Sequence, residues 1–444
     1  MLEAVVAIFV HENDIYSIRR QNYLKAFPGY IAFPGGKVDP EDYEFDFQHP
    51  LIEEYPAHEM GALFREIDEE LGYSIETAMS QNNVTEVSKL GTAVTPPFEK
   101  FRFNAHYYKV VLTEKPELAA DDGEIAWAGW LPHSELNEKY HSGESLMVVP
   151  TVRTIEHLCE DITTQEIPKL NLEYDVEQEL PYVELLKGVG YIPVPSNTLP
   201  PAHTTNSLLL GEESSLTLIT DPSPESDEVL TKLINTLQDL NVEAILLTHH
   251  HPDHHERAPQ LARHLKLPIL CSKITQQRLL NRYGKDYLDG IEIKTISQND
   301  KITTWLGKDV ICHELPGHDD GMVGLATDDM SWFYVSDLVE PFTTVVIPEP
   351  EGDMQVYFDT LQRVIDMNPK VIIPSHGIPM GGIHLLEQTL QHRIEREQQI
   401  INLVNGGLDE NAIVDKLYGG LDERLLPLAH QNVRQHLRKI GVAF

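Results

Sequence analysis

The chain has 444 residues, 41% hydrophobic and 23% charged, a balance of soluble globular domains that excludes wholesale disorder or a fibrous fold. At the usual ~100–200 residues per domain, this length makes two or three domains. Its 34 basic and 70 acidic side chains leave a net charge of −36, which repels phosphate backbones and argues against tracking along nucleic acid. Phosphate substrates stay open, because bound divalent cations reverse the local sign of a carboxylate-lined pocket.

No apolar run approaches the ~18–20 residues of a membrane helix. Ala4–Val10 is apolar but too short for a signal sequence, and acidic Glu3 stands where a basic region is expected. Cys159, Cys271 and Cys312 are odd in number and far apart, so no disulfide framework is expected and the chain reads as cytoplasmic and reduced.

In chain order, Leu2–Val10 reads as a strand and Phe101–Leu112 as another, with helices expected over Pro56–Leu71 and Val149–Glu160. These elements make a mixed domain over residues 1–163. Residues 164–182, with the acidic run Asn171–Glu179, are expected to be a linker. A second domain over 183–383 alternates strands and helices. Its short apolar runs are Leu216–Thr220, Ala244–Thr248, Val310–Glu314, Trp332–Val335 and Val371–Pro374, each leading into a turn. From 384 to 444 the pattern is helical, with Leu386, Leu390, Ile394, Ile401 and Val404 on one helix, Gly406-Gly407 ending it, and two helices beyond.

The first chemical constellation is Arg65-Glu66-Ile67-Asp68-Glu69-Glu70-Leu71-Gly72-Tyr73. On a helix Glu66, Glu69 and Glu70 fall at i, i+3 and i+4, so three carboxylates share a face and repel unless cations sit among them. Hard cations such as Mg²⁺ or Mn²⁺ suit these oxygen ligands. Phe33-Pro34-Gly35-Gly36-Lys37 upstream is a turn whose glycines let backbone approach the same cations. The second constellation is His249-His250-His251-Pro252-Asp253-His254-His255, on the loop after a β-branched, apolar strand. That is where α/β scaffolds place their chemistry. His249, His251, Asp253 and His254 fit His-x-His-x-Asp-His, and His318, Asp337 and His376 each follow a later strand-like run. Imidazoles with carboxylates suit zinc, or iron and manganese.

The first constellation resembles the Nudix box, matching every defined position from Arg65 to Tyr73. The upstream half departs: after the five residues that follow Gly36 stands Asp42 rather than Glu, and 22 residues rather than seven separate it from Arg65. This insertion, with Thr95-Pro96-Pro97 before Arg102-Phe103 and Pro150-Thr151 near the domain end, is similar to a Nudix branch that includes coenzyme A diphosphatases. The resemblance spans about 160 residues. It implies hydrolysis of a nucleoside diphosphate derivative, with Mg or Mn on Glu66, Glu69 and Glu70 and Arg65 orienting a glutamate, all four being catalytic candidates. Asp42 is expected to restore part of the missing glutamate's role, and Glu124 is a weaker candidate for a further carboxylate.

The second constellation resembles the metallo-β-lactamase fold over about 200 residues. The resemblance implies an αββα domain holding two zinc, iron or manganese ions: His249, His251 and His318 on one, Asp253, His254 and His376 on the other, and Asp337 bridging. Asp253 is also a catalytic candidate there, with water activated against a phosphoryl or acyl centre. Asp319, where Ser or Thr often follows the third histidine motif, and Glu256-Arg257, in place of small residues, depart from the pattern and bear on the pocket's shape. The tail, His392–Ile400, Asp415–Tyr418 and His436–Lys439, resembles the winged-helix-like end of a lactamase-fold branch with a single-strand-specific endoribonuclease. Phe444 follows the last helix closely, leaving little sequence for a β-wing.

The expected whole is an α+β Nudix domain, an αββα lactamase-fold domain and a helical C-terminus, acting as a bifunctional hydrolase on small molecules. The lactamase-fold substrate is a phosphoester or thioester. The alternatives are a ligand-sensing domain controlling the other, and an endoribonuclease whose Nudix domain binds single-stranded RNA ends. The net charge disfavours RNA, and no membrane partner is expected.

Overall fold

The computed structural model describes residues 1–98 and 102–442. Two compact units divide the chain: residues 1–174 with 183–187, and residues 175–182 with 188–442.

In the first unit, β1 (Leu2–His11), β2 (Asp14–Arg20), β3 (Ile31–Ala32), β4 (Val84–Val94) and β5 (Phe103–Leu112) form a sheet ordered β3-β2-β1-β5-β4, and β6 (Ile125–Pro132) pairs with β2. Phe101, expected to open the second strand, lies outside the described residues. β1 and β5 run parallel in register from Leu2↔Phe103 to Val10↔Val111. β1 is apolar on both sides because both faces of the sheet are covered. Val5, Ala7 and Phe9 pack with Met60, Leu63, Phe64, Ile67 and Leu71 of α1 (Ala57–Leu71). Ile8 and Val10 pack with Leu136 of α3 (His133–His141) and Ile155 and Leu158 of α4 (Val149–Glu160); α2 (Ile75–Ser80) closes the α1 face.

The expected boundary at residue 163 moves. Ile167 and Leu170 are buried in the first unit, Ile167 N–H donating to Leu90 O at 2.6 Å, because apolar side chains in an otherwise polar stretch find a core to enter. β7 (Val183–Leu186) also belongs there: Met147 N–H donates to Leu185 O, and Tyr140 Oη to Glu184 O. Residues 175–182 belong to the second unit, where Leu180 N–H donates to Thr236 Oγ1. The acidic stretch is thus divided rather than loose.

The second unit stacks two sheets between helices. The first is ordered β13-β12-β11-β10-β9-β8, from β8 (Val189–Pro195), β9 (Thr204–Leu210), β10 (Leu218–Thr220), β11 (Ala244–Leu246), β12 (Ile269–Cys271) and β13 (Ile293–Thr295). β10 to β13 are parallel. α5 (Asp227–Leu237), α7 (Ala258–Leu265) and α8 (Lys273–Tyr283) cover its outer face through Leu233, Leu261 and Leu279, α6 (Pro252–His255) being a single turn. The second sheet runs β14 (Lys301–Trp305), β15 (Lys308–Glu314), β16 (Val323–Thr327), β17 (Phe333–Ser336), β18 (Val371–Pro374) and β19 (Met380–Gly381). It is covered by α9 (Met354–Met367) and the start of α10 (His384–Asn405). Hydrogen bonds such as Val323 N–H to Thr248 O and Asn206 N–H to Ser375 O join the inner edges.

α10, α11 (Glu410–Tyr418) and α12 (Leu426–Lys439) enclose a small core of Ile400, Ile413, Val414, Val433 and Leu437. Among the described residues no strand follows β19, and Phe444 lies outside them. No helix of the described residues is long and apolar enough to cross a membrane.

Candidate metal centres

In the second unit, four strand ends deliver the ligand-type residues to one place: β11 leads to His249, β15 to His318, β17 to Asp337 and β18 to His376. Asp221, directly after β10, fixes the first loop by accepting from Thr248 N–H and Oγ1, both at 2.7 Å. The α6 turn then presents Asp253 and His254 together. Gly317 brings its loop hard against α9: at φ 132°, an added Cβ would lie 2.4 Å from the Tyr357 backbone, so His318 depends on this glycine.

All seven predicted residues converge. His251 Nδ1 lies 3.0 Å from His249 Nε2 and 2.9 Å from His318 Nε2. His376 Nε2 lies 3.7 Å from Asp253 Oδ2, and His254 Nε2 3.9 Å from Asp253 Oδ1. Asp337 stands between the groups: its Oδ2 is 3.9 Å from His249 Nε2, 3.8 Å from His318 Nε2 and 3.2 Å from His254 Nε2, while Oδ1 is 3.6 Å from His376 Nε2.

The outer nitrogens explain why the inner ones face each other. His318 Nδ1–H donates to Val346 O at 2.7 Å and His376 Nδ1–H to Thr204 O at 2.8 Å, which turns both Nε2 atoms inward. His254 Nδ1 pairs with Asp221 Oδ2 at 3.0 Å, and His249 Nδ1 with Thr248 Oγ1 at 3.1 Å. Burial pushes His249 well down and His318 down to about 4, the neutral state a ligand requires. For His376 burial also lowers, but Asp337 overrides it and lifts the ring to about 9; Asp337 itself is held well below the carboxylate range, its histidine neighbours outweighing burial. Asp337 Oδ1 and His376 Nε2 are buried without a hydrogen-bond partner. Converging ring nitrogens and an unsatisfied carboxylate oxygen fit divalent transition-metal ions, with three-ligand groups His249–His251–His318 and Asp253–His254–His376.

Sequence reasoning missed two acids here. Asp221 was legible in principle, as an acid ending a short apolar run like Asp337. Glu340 had no such signal: three residues past Asp337, it joins Asp337 and His376 in a further group, and burial pushes it up to about 7.

The first unit builds a looser site around α1. Gly35 N–H donates to Glu70 Oε2 at 2.9 Å, and a Cβ on Gly36 would lie 2.2 Å from the Glu66 carboxylate, so the glycine loop is a cradle for these two acids. Burial first, then Glu66, raises Glu70 to about 7, against the pull of the Gly35 N–H. Asp42 is buried in a 3-10 turn, Pro40–Glu44, and takes Arg65 Nε and Nη2 at 3.0 and 2.9 Å. Arg65 Nη1 reaches Glu66 and Glu69, each at 3.1 Å. The Glu69 side chain is 60% exposed. Among the described residues, Glu66, Glu69 and Glu70 do not close into a three-ligand group as the histidines do. The carboxylate pair in the glycine cradle nevertheless suits a hard cation that keeps several waters. Glu124, exposed, adds to the charge that raises Glu70.

Comparison with known proteins finds matches in both units. Residues 1–150 match the family model of the NUDIX domain, 200–376 that of the metallo-beta-lactamase superfamily, and 410–440 that of the beta-lactamase associated winged helix domain. A beta-lactamase-like protein 2 homolog of Drosophila melanogaster is 28% identical over 255 residues, 53% of this chain and 82% of its own. The hydroxyacylglutathione hydrolase GloC of Haemophilus influenzae is 24% identical over 186 residues, 40% of this chain and 87% of its own. Among solved structures, a beta-lactamase domain protein from Burkholderia ambifaria shares the second unit's fold with a TM-score of 0.50 and 18% identity, over 61% of this chain and 91% of its own.

Proposed function

From a hydrolase that carries a Nudix domain, a metallo-beta-lactamase domain and an associated winged helix domain in that order, we infer two separate metal-dependent hydrolytic reactions. The first unit cleaves a nucleoside diphosphate derivative, and the second hydrolyses an acyl thioester or a phosphoester. The observation that carries the reading is the convergence of seven ligand-type side chains on two groups that share Asp337.

His249, His251 and His318 would hold one ion, Asp253, His254 and His376 the other, and Asp337 both; zinc, iron and manganese all suit this donor set. Such ions supply an acidified water and neutralise charge developing on the substrate. The chain's own part is to hold five imidazoles in fixed orientations, and to offer Glu340, half-protonated near pH 7, as a proton donor beside Asp337. The thioester class is supported by the relative named as a hydroxyacylglutathione hydrolase. In the first unit, Glu66, Glu69 and Glu70 would hold Mg²⁺ or Mn²⁺. There Arg65, anchored on Asp42, keeps Glu66 and Glu69 in place, and phosphate charge is neutralised at the glycine cradle. An acyl derivative of a coenzyme A-like molecule would join the two activities, since it carries both a diphosphate and a thioester.

The test assays full-length protein on nucleoside diphosphate derivatives, acyl thioesters and single-stranded RNA. The wild type is compared with E69Q/E70Q and D253A/H254A. Each double variant should lose one activity by orders of magnitude and keep the other. Cleavage of RNA alone, with E69Q/E70Q unimpaired, would replace this reading by an endoribonuclease.

A further inference from the structure

Four of the five inward-facing histidines have a short contact behind them: Thr248, Asp221, Val346 O and Thr204 O support His249, His254, His318 and His376. His251 differs. It turns Nδ1 inward, so its Nε2 faces outward and lies 3.5 Å from Glu351 Oε1. The same oxygen lies 3.8 Å from Nε2 of His250, the middle histidine of the run, which none of the seven ligand positions uses. His250 Nδ1 in turn rests directly against Asp319 Oδ2.

Nothing in the fold alone requires this arrangement. The His250 and Asp319 side chains are 6% and 0% exposed, and that of Glu351 only 12%. Burying an ionisable group costs several kcal/mol unless it is paired, so an unbroken series of buried acid and imidazole contacts must meet some demand. Asp319 is itself fixed: its Oδ1 accepts from Gly321 N–H at 2.7 Å. Arg278, which adds positive charge beside Asp319 and Glu351, is clamped on neighbouring Asp320 at 2.8 Å through Nε. Asp319, one of the residues that depart from the lactamase-fold pattern, is therefore the far end of a series whose near end is a metal-ligand histidine.

We propose that Asp319, His250 and Glu351 are positioning residues for His251: they hold its outer nitrogen so that Nδ1 stays aimed at the three-histidine group and remains a strong donor to a divalent transition-metal ion. Glu351 makes the direct contact, while Asp319 acts only through His250. A carboxylate behind a ligand imidazole fixes its tautomer and ring plane and raises its basicity, and losing such a partner costs roughly 10–100-fold in metal affinity. The proposal rests on the two-ion reading of this site.

The experiment uses full-length protein freed of metal and titrated with Co²⁺, with stoichiometry from elemental analysis, affinity from chelator competition and ligand geometry from the cobalt absorption bands. Wild type should take two ions in the second unit. E351Q, which keeps shape and removes charge, should weaken one ion about 10–100-fold, leave the other unchanged and shift the cobalt bands. Its apo Tm should match the wild type. D319N should show a smaller loss, and E351Q/D319N should be no weaker than E351Q alone. An E351Q titration and spectrum identical to wild type would overturn the proposal, as would an apo Tm that falls with the affinity, the mark of a merely structural role. A third ion lost in D319N would make His250 and Asp319 ligands and overturn it too. A wild type that binds no ion in this unit refutes the two-ion reading and this inference with it.

Discussion

Asp42 carries more of the first site than its position in an irregular insertion suggests. Its carboxylate takes two guanidinium N–H groups of Arg65 and the Asp39 N–H at 2.7 Å, so one buried acid ties the 3-10 turn to α1 and sets where Arg65 can hold Glu66 and Glu69. Hydrogen bonds between charged groups contribute about 1.5–3 kcal/mol each, most of it lost when one partner is neutralised. Asp42→Asn should therefore destabilise the first unit by about 2 kcal/mol and lower diphosphate cleavage at least tenfold through misplaced carboxylates. Denaturant melts and a pyrophosphate-release assay check both effects, and metal content of the lactamase-fold site should not change. Asp42 was legible as a candidate from its spacing to Gly36 despite the long insertion. Its burial was not, because nothing local shows that a 3-10 turn folds the acid under Arg65.

At the scale of elements, the strand-end histidines and the α1 acids were legible because each follows an apolar run or a helical repeat. The division of residues 164–182 was not. That stretch reads as a linker by composition, yet Ile167 and Leu170 enter the first core and are 3% and 2% exposed. Burying an Ile or Leu side chain contributes roughly 1.5–3 kcal/mol, so a fragment of residues 1–163 should be several kcal/mol less stable than one of residues 1–187. Urea melts of the two fragments decide this; equal midpoints would restore the earlier boundary. The C-terminal helices offer a second check through pH. His436 on α12 is fully buried with Nδ1 3.2 Å from Glu397 Oε2, and burial, then Arg393, lowers it to about 4. The unfolded chain binds this proton near pH 6.5 and the folded one only near 4, so stability is complete above 6.5 and falls as pH drops through that window. The loss amounts to about 3 kcal/mol. His436→Asn keeps a donor toward Glu397 and cannot titrate, so its Tm should fall less than that of the wild type between pH 7 and 4.

At the scale of the whole molecule, a charge of −36 sets up self-repulsion that local ion pairs such as Arg434–Glu410 and Arg278–Asp320 relieve only at single points. Exposed pairs of this kind contribute little, typically below ~1 kcal/mol, whereas repulsion among the surplus acids acts over the Debye length, ~30 Å at 0.01 M salt and ~10 Å at 0.1 M. Screening should therefore help more than it harms. Raising NaCl from 10 to 200 mM should raise the Tm of metal-free protein by a few degrees, as a thermal melt series would record. A Tm that falls with salt would show attraction among surface charges outweighing the acid surplus. The same field bears on substrates. At 10 mM salt, where attraction to a polyanion is strongest, the protein should still leave single-stranded RNA free in a filter-binding assay, because the counterion release that drives such binding needs basic side chains against phosphates. A small diphosphate or thioester escapes that penalty: the ions in the carboxylate and histidine groups supply the local positive charge that the rest of the surface lacks.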